Sequence, residues 1–95
     1  MRSEGVDLPM TCGACPQQYE GEVDGNPAYF RLRHGYWRFT IVAPGSNPVG
    51  PGPDGVVLFH AEAECKVGDG CMDEAEALIM SLINAFRLSQ EGTKP

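Results

Sequence analysis

The stretch QQYEGEVDGNPAYFRLRHGYWRFTIVA, residues 17–43, decides the fold of this chain. Its opening residues alternate, because Tyr19, Gly21 and Val23 occupy every second position between polar side chains. A period of two is typical of a strand with one buried face. The following pair, Asp24-Gly25, favours a hairpin turn, since glycine accepts the positive φ that a tight turn requires. We therefore predict a strand from Gln17 and a turn at residues 24–25.

The same stretch predicts two more strands, at about residues 28–34 and 37–43. Apolar and aromatic side chains again occupy alternate positions, and such residues fit a pleated, half-buried surface. A segment with four prolines and four glycines, Pro44 to Gly55, comes next. Proline cannot donate to a strand ladder, so we predict a flexible loop there. A fourth strand, at about residues 55–63, is apolar on both sides.

The C-terminal part of the chain has the spacing of an amphipathic helix. Its predicted apolar stripe is Met72, Ala75, Leu78, Ile79, Leu82, Ile83 and Phe86. Asp73 and Glu76 have the spacing of a capping box, and Arg87 is placed to interact with the negative end of the helix dipole.

These elements predict an α+β fold, a four-stranded antiparallel β-meander with one C-terminal helix packed on one face (β-β-β-β-α). The helix stripe should cover the inner strand residues, Phe30, Leu32, Trp37, Phe39, Ile41, Val57 and Phe59. We divide the chain into a Cys-containing, irregular N-terminal arm (1–16), one domain (17–90, with a flexible loop at 44–55) and a tail (91–95).

Charge and composition narrow the classes of function. The formal net charge is −6, from 13 acidic and 7 basic residues. Phosphate backbones and anionic membranes repel such a protein unless its bases are locally concentrated, which favours a protein partner. The N-terminal residues have no apolar region of the signal-peptide type, and no stretch approaches a membrane span, so we expect a cytoplasmic protein.

Four cysteines form two close pairs, Cys12 with Cys15 and Cys65 with Cys71. A two-residue gap lets two thiolates reach one tetrahedral ion, and the glycine-containing loop after Cys65 could bring the second pair to it. We therefore predict one structural zinc site. Free thiols, disulfides and a redox pair remain as alternatives, because the second spacing is not that of a zinc knuckle.

A basic and aromatic group is predicted on the sheet face opposite the helix. It consists of Tyr29, Arg31, Arg33 and Arg38. Arginine and tyrosine are enriched where proteins bind each other, so this group is a candidate partner-binding site. Cross-strand ion pairs with Glu20 and Glu22 would be a purely structural explanation, and stacking on single-stranded bases a third.

Motifs of known catalytic sites are absent from the sequence. It contains no G-x-S-x-G, no H-E-x-x-H and no Walker-type glycine loop. The acidic residues near Asp73 are explained by helix capping and solvation. We therefore expect a protein that is not an enzyme.

The run from Glu20 to His34, followed by Trp37, resembles small bacteriophage and prophage proteins. These share an E-G-x-x-D-G-x-P hairpin, an F-R-x-R strand and a closing D-E-A-x-x-L-I helix, matched here by residues 73–79. Cys71 is not part of that pattern. The resemblance implies an accessory protein in a bacterial cytoplasm, and many such proteins bind and block a host protein, as anti-CRISPR inhibitors do.

The functional expectation is therefore a non-enzymatic phage-type accessory protein that binds a host protein, with counter-defence inhibition as a specific form. An acidic surface could also mimic nucleic acid toward a basic host protein. The alternative is a small zinc-stabilised nucleic-acid-binding or regulatory module that uses Tyr29, Arg31, Arg33 and Arg38.

Overall fold

The computed structural model describes residues 2–13, 17–33, 35–50, 55–64 and 75–92, and all structural statements concern these ranges. They contain seven strands and one helix. The strands are β1 (Arg2–Ser3), β2 (Val6–Asp7), β3 (Met10–Gly13), β4 (Gln17–Val23), β5 (Asn26–Arg33), β6 (Tyr36–Val42) and β7 (Val57–Glu64), and the helix is α1 (Ala75–Gly92). The α+β class, the antiparallel sheet and the C-terminal helix are confirmed.

The prediction of four strands was wrong, because the described part of the N-terminal arm belongs to the sheet. The strand order is β1-β2-β4-β5-β6-β7, and β3 pairs with β4 as well. Both β2 and β3 lie along the same edge of β4, with a break at Leu8 and Pro9 between them. Leu8 is fully buried in the core at this break. We predicted an irregular conformation for the N-terminal arm, but residues 2–13 contain three short, paired strands.

The hairpin turn between β4 and β5 forms at the predicted pair. Asp24 has a φ of 52° and Gly25 a φ of 82°. Both values lie in the left-handed region, which Gly adopts freely and Asp tolerates better than most residues. This turn fixes the register, in which Tyr19 lies opposite Phe30 and Gly21 opposite Ala28.

The core lies between the inner face of the sheet and α1. Phe30, Phe39 and Ile41 from the strands are fully buried, as are Ile79 and Ile83 from the helix. A chain of aromatic contacts crosses this layer, with ring centroids 6.0–6.4 Å apart. It runs through Tyr19, Phe30, Phe39, Phe59 and Phe86. The described part of the predicted apolar stripe, from Ala75 to Phe86, thus covers the sheet face that we predicted. Met72 and the predicted capping residue Asp73 lie outside the described ranges.

The inner-face prediction was wrong for Val57, which is 48% exposed. The register of β7 against β6 shifts, so that Ile41 pairs with Phe59 while Val42 pairs with Val57. Such a bulge inserts one extra residue and changes the face that later side chains take. Leu58 packs against the core instead of Val57. Trp37 is half-buried and stacks on Phe30, at a centroid separation of 6.3 Å.

Arg87 of α1 ties the helix to two turns of the sheet. Its guanidinium donates two hydrogen bonds of 2.9 Å to the Asp24 carboxylate and a third, also of 2.9 Å, to the main-chain carbonyl of Glu4. The Asp24 amide donates to the carbonyl of Gly5. We call Arg87, Asp24, Glu4 and Gly5 the clasp. Arg87 was expected to act on the helix dipole, and the structure shows this specific contact instead.

The ends of the proline- and glycine-rich loop are held together. The Ala43 amide donates to the Val56 carbonyl at 2.9 Å, and the Val56 amide donates to Ser46 Oγ at 3.1 Å. The predicted flexibility of the loop stays a prediction, and residues 51–54 lie outside the described ranges.

Candidate functional site

The sheet face opposite α1, which we call the outer face, is organised in rows across strands β4 to β7. Directly paired residues share a face, so the register defines three rows. One row is Gln18, Arg31, Arg38 and Glu62; the next is Glu20, Tyr29, Thr40 and His60; the third is Arg33, Tyr36 and Glu64. The sequence-predicted residues Tyr29, Arg31, Arg33 and Arg38 are thus brought together on one face.

The predicted residues differ in how much surface they offer. Arg33 and Arg38 are exposed, and Arg31 is half-buried. Tyr29 is only 8% exposed, so it contributes little contact area of its own. Three arginines of β5 and β6 therefore form the accessible part of the candidate site.

Charge changes sign twice across the outer face. The central strands β5 and β6 carry the three arginines, while Glu20 and Glu22 lie on β4 and Glu62 and Glu64 on β7. These four glutamates are exposed. The face therefore has a basic centre between two acidic margins.

A hydrogen-bonded group fixes the β7 margin. Thr40 Oγ1 lies 2.8 Å from His60 Nδ1, and His60 Nε2 lies 3.3 Å from Glu62 Oε2. With Nε2–H donating to Glu62, a neutral imidazole accepts the Thr40 hydroxyl at Nδ1. The Tyr36 hydroxyl also donates to Glu62, and this bond, followed by that of His60, lowers the pKa of Glu62. Partial burial, and next the bond to Glu62, raise the pKa of Tyr36.

Sequence reasoning missed this group, although alternation places His60 and Glu62 on one face of β7. Which residue of β6 lies opposite each of them depends on the register, and the chain pattern does not set it. Thr40, His60 and Glu62 also have the order hydroxyl, imidazole and carboxylate of a nucleophilic site. Thr40 is only 5% exposed, however, so a substrate has little access to its hydroxyl.

The arginines of the outer face form no close ion pairs with the acidic margins in the described ranges. In the described part of the chain, ion pairs within 4.0 Å join Arg2 to Asp7, His60 to Glu62 and Arg87 to Asp24. None involves Arg31, Arg33 or Arg38, so no close cross-strand ion pair holds them in these ranges, although the charge of Arg38 does act on Glu62. The structural explanation by cross-strand pairing stays an alternative. The Nε atom of Arg31 is moreover buried, and no described residue accepts a hydrogen bond from it. A buried donor without an acceptor costs about 1–3 kcal/mol.

The predicted zinc ligands fall mainly outside the described residues. Cys15, Cys65 and Cys71 lie there, and of Cys12 the structure gives only the backbone, paired with Gln18 in β3. Within the described ranges no group of three or more metal-binding side chains occurs. Strands β4, β5 and β6 separate β3 from β7, the strand that precedes Cys65. Four strand spacings amount to about 19 Å, so a shared ion requires the chain after Glu64 to approach β3.

Comparison of the chain with known protein families, with curated proteins and with solved structures found no match. In the described ranges, no helix has the length and apolar character needed to cross a bilayer.

Proposed function

We propose that this protein is a non-enzymatic binding protein that engages a host protein through the outer face of its sheet. The supporting observation is the basic centre, Arg31, Arg33 and Arg38, which has no ion-pair partner among the described residues. Arginines that form no close ion pair in the described ranges are available to a partner, and arginine is enriched at the centres of protein interfaces. The resemblance to phage accessory proteins supports a bacterial host and a counter-defence role of the anti-CRISPR type.

The charge pattern favours a protein over a nucleic acid as the partner. The three arginines are flanked on both sides by glutamates, and the whole chain has a net charge of −6. A continuous phosphate backbone crossing the face would meet both acidic margins. A protein surface with an acidic centre and basic surroundings would complement all three zones.

The test is affinity capture with the immobilised chain, followed by mapping of the contact. We expect a partner from a bacterial lysate that binds in stoichiometric amount and is released by Arg33→Glu with Arg38→Glu. Arg2→Glu is the matched control, because Arg2 is an exposed arginine at the far edge of the sheet. Binding of the purified partner should slow amide hydrogen exchange in β5 and β6. Failure to capture a partner at low and moderate salt, or capture that survives the double charge reversal, would contradict the proposal.

The second candidate function is a zinc-stabilised nucleic-acid-binding or regulatory module. The same unpaired arginines favour it, since guanidinium groups also bind phosphates. Fluorescence anisotropy with labelled single- and double-stranded DNA and RNA separates the two functions. Binding that weakens steeply with salt and with Arg31→Ala plus Arg33→Ala would favour this second candidate.

A further inference from the structure

We infer that Arg31 and Arg38 together form a binding site for a carboxylate group of the partner protein, supplied by an acidic side chain or by a chain terminus. The inference rests on the proposed function and specifies what the outer face recognises. Three observations carry it: the register of the two arginines, the buried Nε of Arg31, and the engagement of the neighbouring Glu62 elsewhere.

The first observation is that two like charges are directly paired. Arg31 of β5 lies opposite Arg38 of β6, on the same face of the sheet. Like charges at directly opposite positions destabilise a strand pair, whereas opposite charges stabilise it. An anion held between the two guanidinium groups would change this repulsion into two attractive contacts.

The second observation is the state of Arg31. Its side chain is half-buried and its Nε is buried, yet no acceptor within the described ranges bonds to that atom. A guanidinium offers five N–H donors in a rigid fork that matches the two oxygens of a carboxylate. Since the Nε is closed to solvent, a partner carboxylate would bind the other N–H donors of Arg31, which no acceptor in the described ranges holds.

The third observation is that the fold uses its own nearby carboxylate for a different purpose. Glu62 pairs with Arg38 in the register, and it is the carboxylate of that row. His60 and Tyr36 both bond to it, and the His60 contact is in turn fixed by Thr40. On the other side of the row stands Gln18, which is neutral. The charge of Arg38 also acts on Glu62, without an ion pair within 4.0 Å in the described ranges. The arginine pair thus lies between a carboxylate that is already hydrogen-bonded and an amide.

The margins of the face favour a carboxylate over a phosphate. Glu20 and Glu62 lie one strand away from the arginine pair. They repel a doubly charged phosphate more strongly than a singly charged carboxylate, which offsets part of the stronger attraction that the two arginines exert on phosphate. The half-buried Arg31 also favours a small planar group, which two parallel N–H···O bonds can hold.

The experiment follows the arginine Nε–Hε signals of the full-length protein by ¹H–¹⁵N NMR. Four probes are added separately: sodium acetate, a blocked Gly-Glu-Gly tripeptide, an acetylated triglycine with a free C-terminus, and inorganic phosphate. We expect the Arg31 signal to move and to saturate with the carboxylates, while the Arg2 signal stays unmoved. The two peptides show whether a side-chain or a terminal carboxylate binds more tightly.

Conservative variants test the role of the fork. Arg31→Lys and Arg38→Lys keep the charge but lose the paired donors, so we expect each to weaken acetate binding by about fivefold or more. The chemical shifts of the backbone amides in β5 and β6 report the binding. Arg33→Lys is the matched control and should change affinity less than about twofold. Backbone amide spectra of each variant show that it has folded.

Two results would overturn the inference: an Arg31 signal that no carboxylate moves, or one that phosphate moves at lower concentration than acetate. Failure of the carboxylate-site inference can be distinguished from failure of the proposed function. Saturable acetate binding in a protein that captures no partner would refute the proposed function alone. Partner capture that Arg31→Lys and Arg38→Lys leave unchanged would refute the carboxylate site alone.

Discussion

At the scale of single residues, arginine has three different roles in this chain. Arg87 makes two hydrogen bonds to one carboxylate and a third to a main-chain carbonyl. Arg2 approaches Asp7 only to 3.7 Å, with both side chains largely exposed. Arg31 has a buried Nε without a partner in the described ranges. The surroundings of each guanidinium therefore distinguish an arginine that stabilises the fold from one that we propose to bind a partner.

The clasp makes part of the folding stability depend on pH. The hydrogen bonds from Arg87, and then its charge, lower the pKa of Asp24. The unfolded chain consequently takes up this proton at a higher pH than the folded one. The stabilisation is complete above the ordinary aspartate pKa of about 3.9 and is lost as the pH falls through the lower folded value.

We predict that Arg87→Gln lowers the free energy of unfolding by about 0.5–1 kcal/mol at pH 7. The loss is small because the side chains of Arg87 and Asp24 are each about one-third exposed to solvent. The loss relative to the wild type should shrink near pH 2. Urea unfolding at the two pH values measures it. Arg2→Gln is the control and should have little effect at either pH. An equal loss at pH 7 and pH 2 would show that the ion pair is not its source.

Gly21 is required because another segment of backbone passes close to it. A β-carbon at this position would overlap the carbonyl oxygen of Asp7 and would lie 3.2 Å from the α-carbon of Leu8. Backbone atoms cannot move aside as a flexible side chain can. We predict that Gly21→Ala lowers the free energy of unfolding by about 1–3 kcal/mol.

Gly50→Ala is the control for Gly21, since nothing lies within 4 Å of a β-carbon there. Its effect should stay within about 0.5 kcal/mol. Thermal and urea unfolding compare the two variants. Similar stabilities for both would mean that β2 and β4 separate easily at this crossing.

At the scale of elements, the long strands and the helix were predictable, while the short strands and the register details were not. Residues 17–23 alternate over seven positions, and the helix repeats its apolar stripe over several turns. Strands of two residues, such as Arg2–Ser3 and Val6–Asp7, are too short for any period to show. The bulge at Val57 and Leu58 also has no local sign, because valine and leucine both suit a buried position.

The candidate site was predictable only in part, because alternation within a strand shows in the sequence and pairing between strands does not. Alternation alone places Arg31 and Arg33 on one face, and the next strand adds Arg38. That Arg38 lies opposite Arg31, and that His60 engages Glu62, follows from pairing between strands, which neither strand specifies alone.

The helix should stabilise the domain mainly through its fully buried side chains. Ile83 is completely buried in the core cluster, whereas Leu88 is 67% exposed. We predict that Ile83→Ala costs about 2–5 kcal/mol, because it removes apolar contacts and leaves a cavity. Leu88→Ala should change stability by less than about 0.5 kcal/mol. Urea unfolding of the two variants checks this, and comparable losses would indicate that α1 packs through a different face.

At the scale of the whole molecule, strand pairing and one buried side chain hold the described part of the N-terminal segment to the sheet. Residues 2–13 pair with β4 through two separate stretches, and Leu8 enters the core between them. A zinc ion bound by Cys12, Cys15, Cys65 and Cys71 would add a long-range link to this pairing. Metal binding stabilises the folded state because the unfolded chain has no preformed site.

If the cysteines bind zinc, we expect a strong chelator to lower the melting temperature and a reductant alone to leave it unchanged. Disulfides would give the opposite pattern, and free thiols would make the protein indifferent to both. Differential scanning fluorimetry with each reagent separates the three states. Metal analysis of protein never exposed to chelator is the control, and well under one zinc per chain would refute the prediction.

The clasp also has a consequence for the order in which the chain folds. Arg87 contacts Asp24 and Glu4 across sequence separations of 63 and 83 residues. During synthesis the hydrogen bond from Arg87 to Glu4 cannot form until residue 87 has left the ribosome. Contacts between such distant segments close large loops and tend to form after the transition state. Arg87→Gln should then speed unfolding in stopped-flow experiments and leave the rate of folding nearly unchanged.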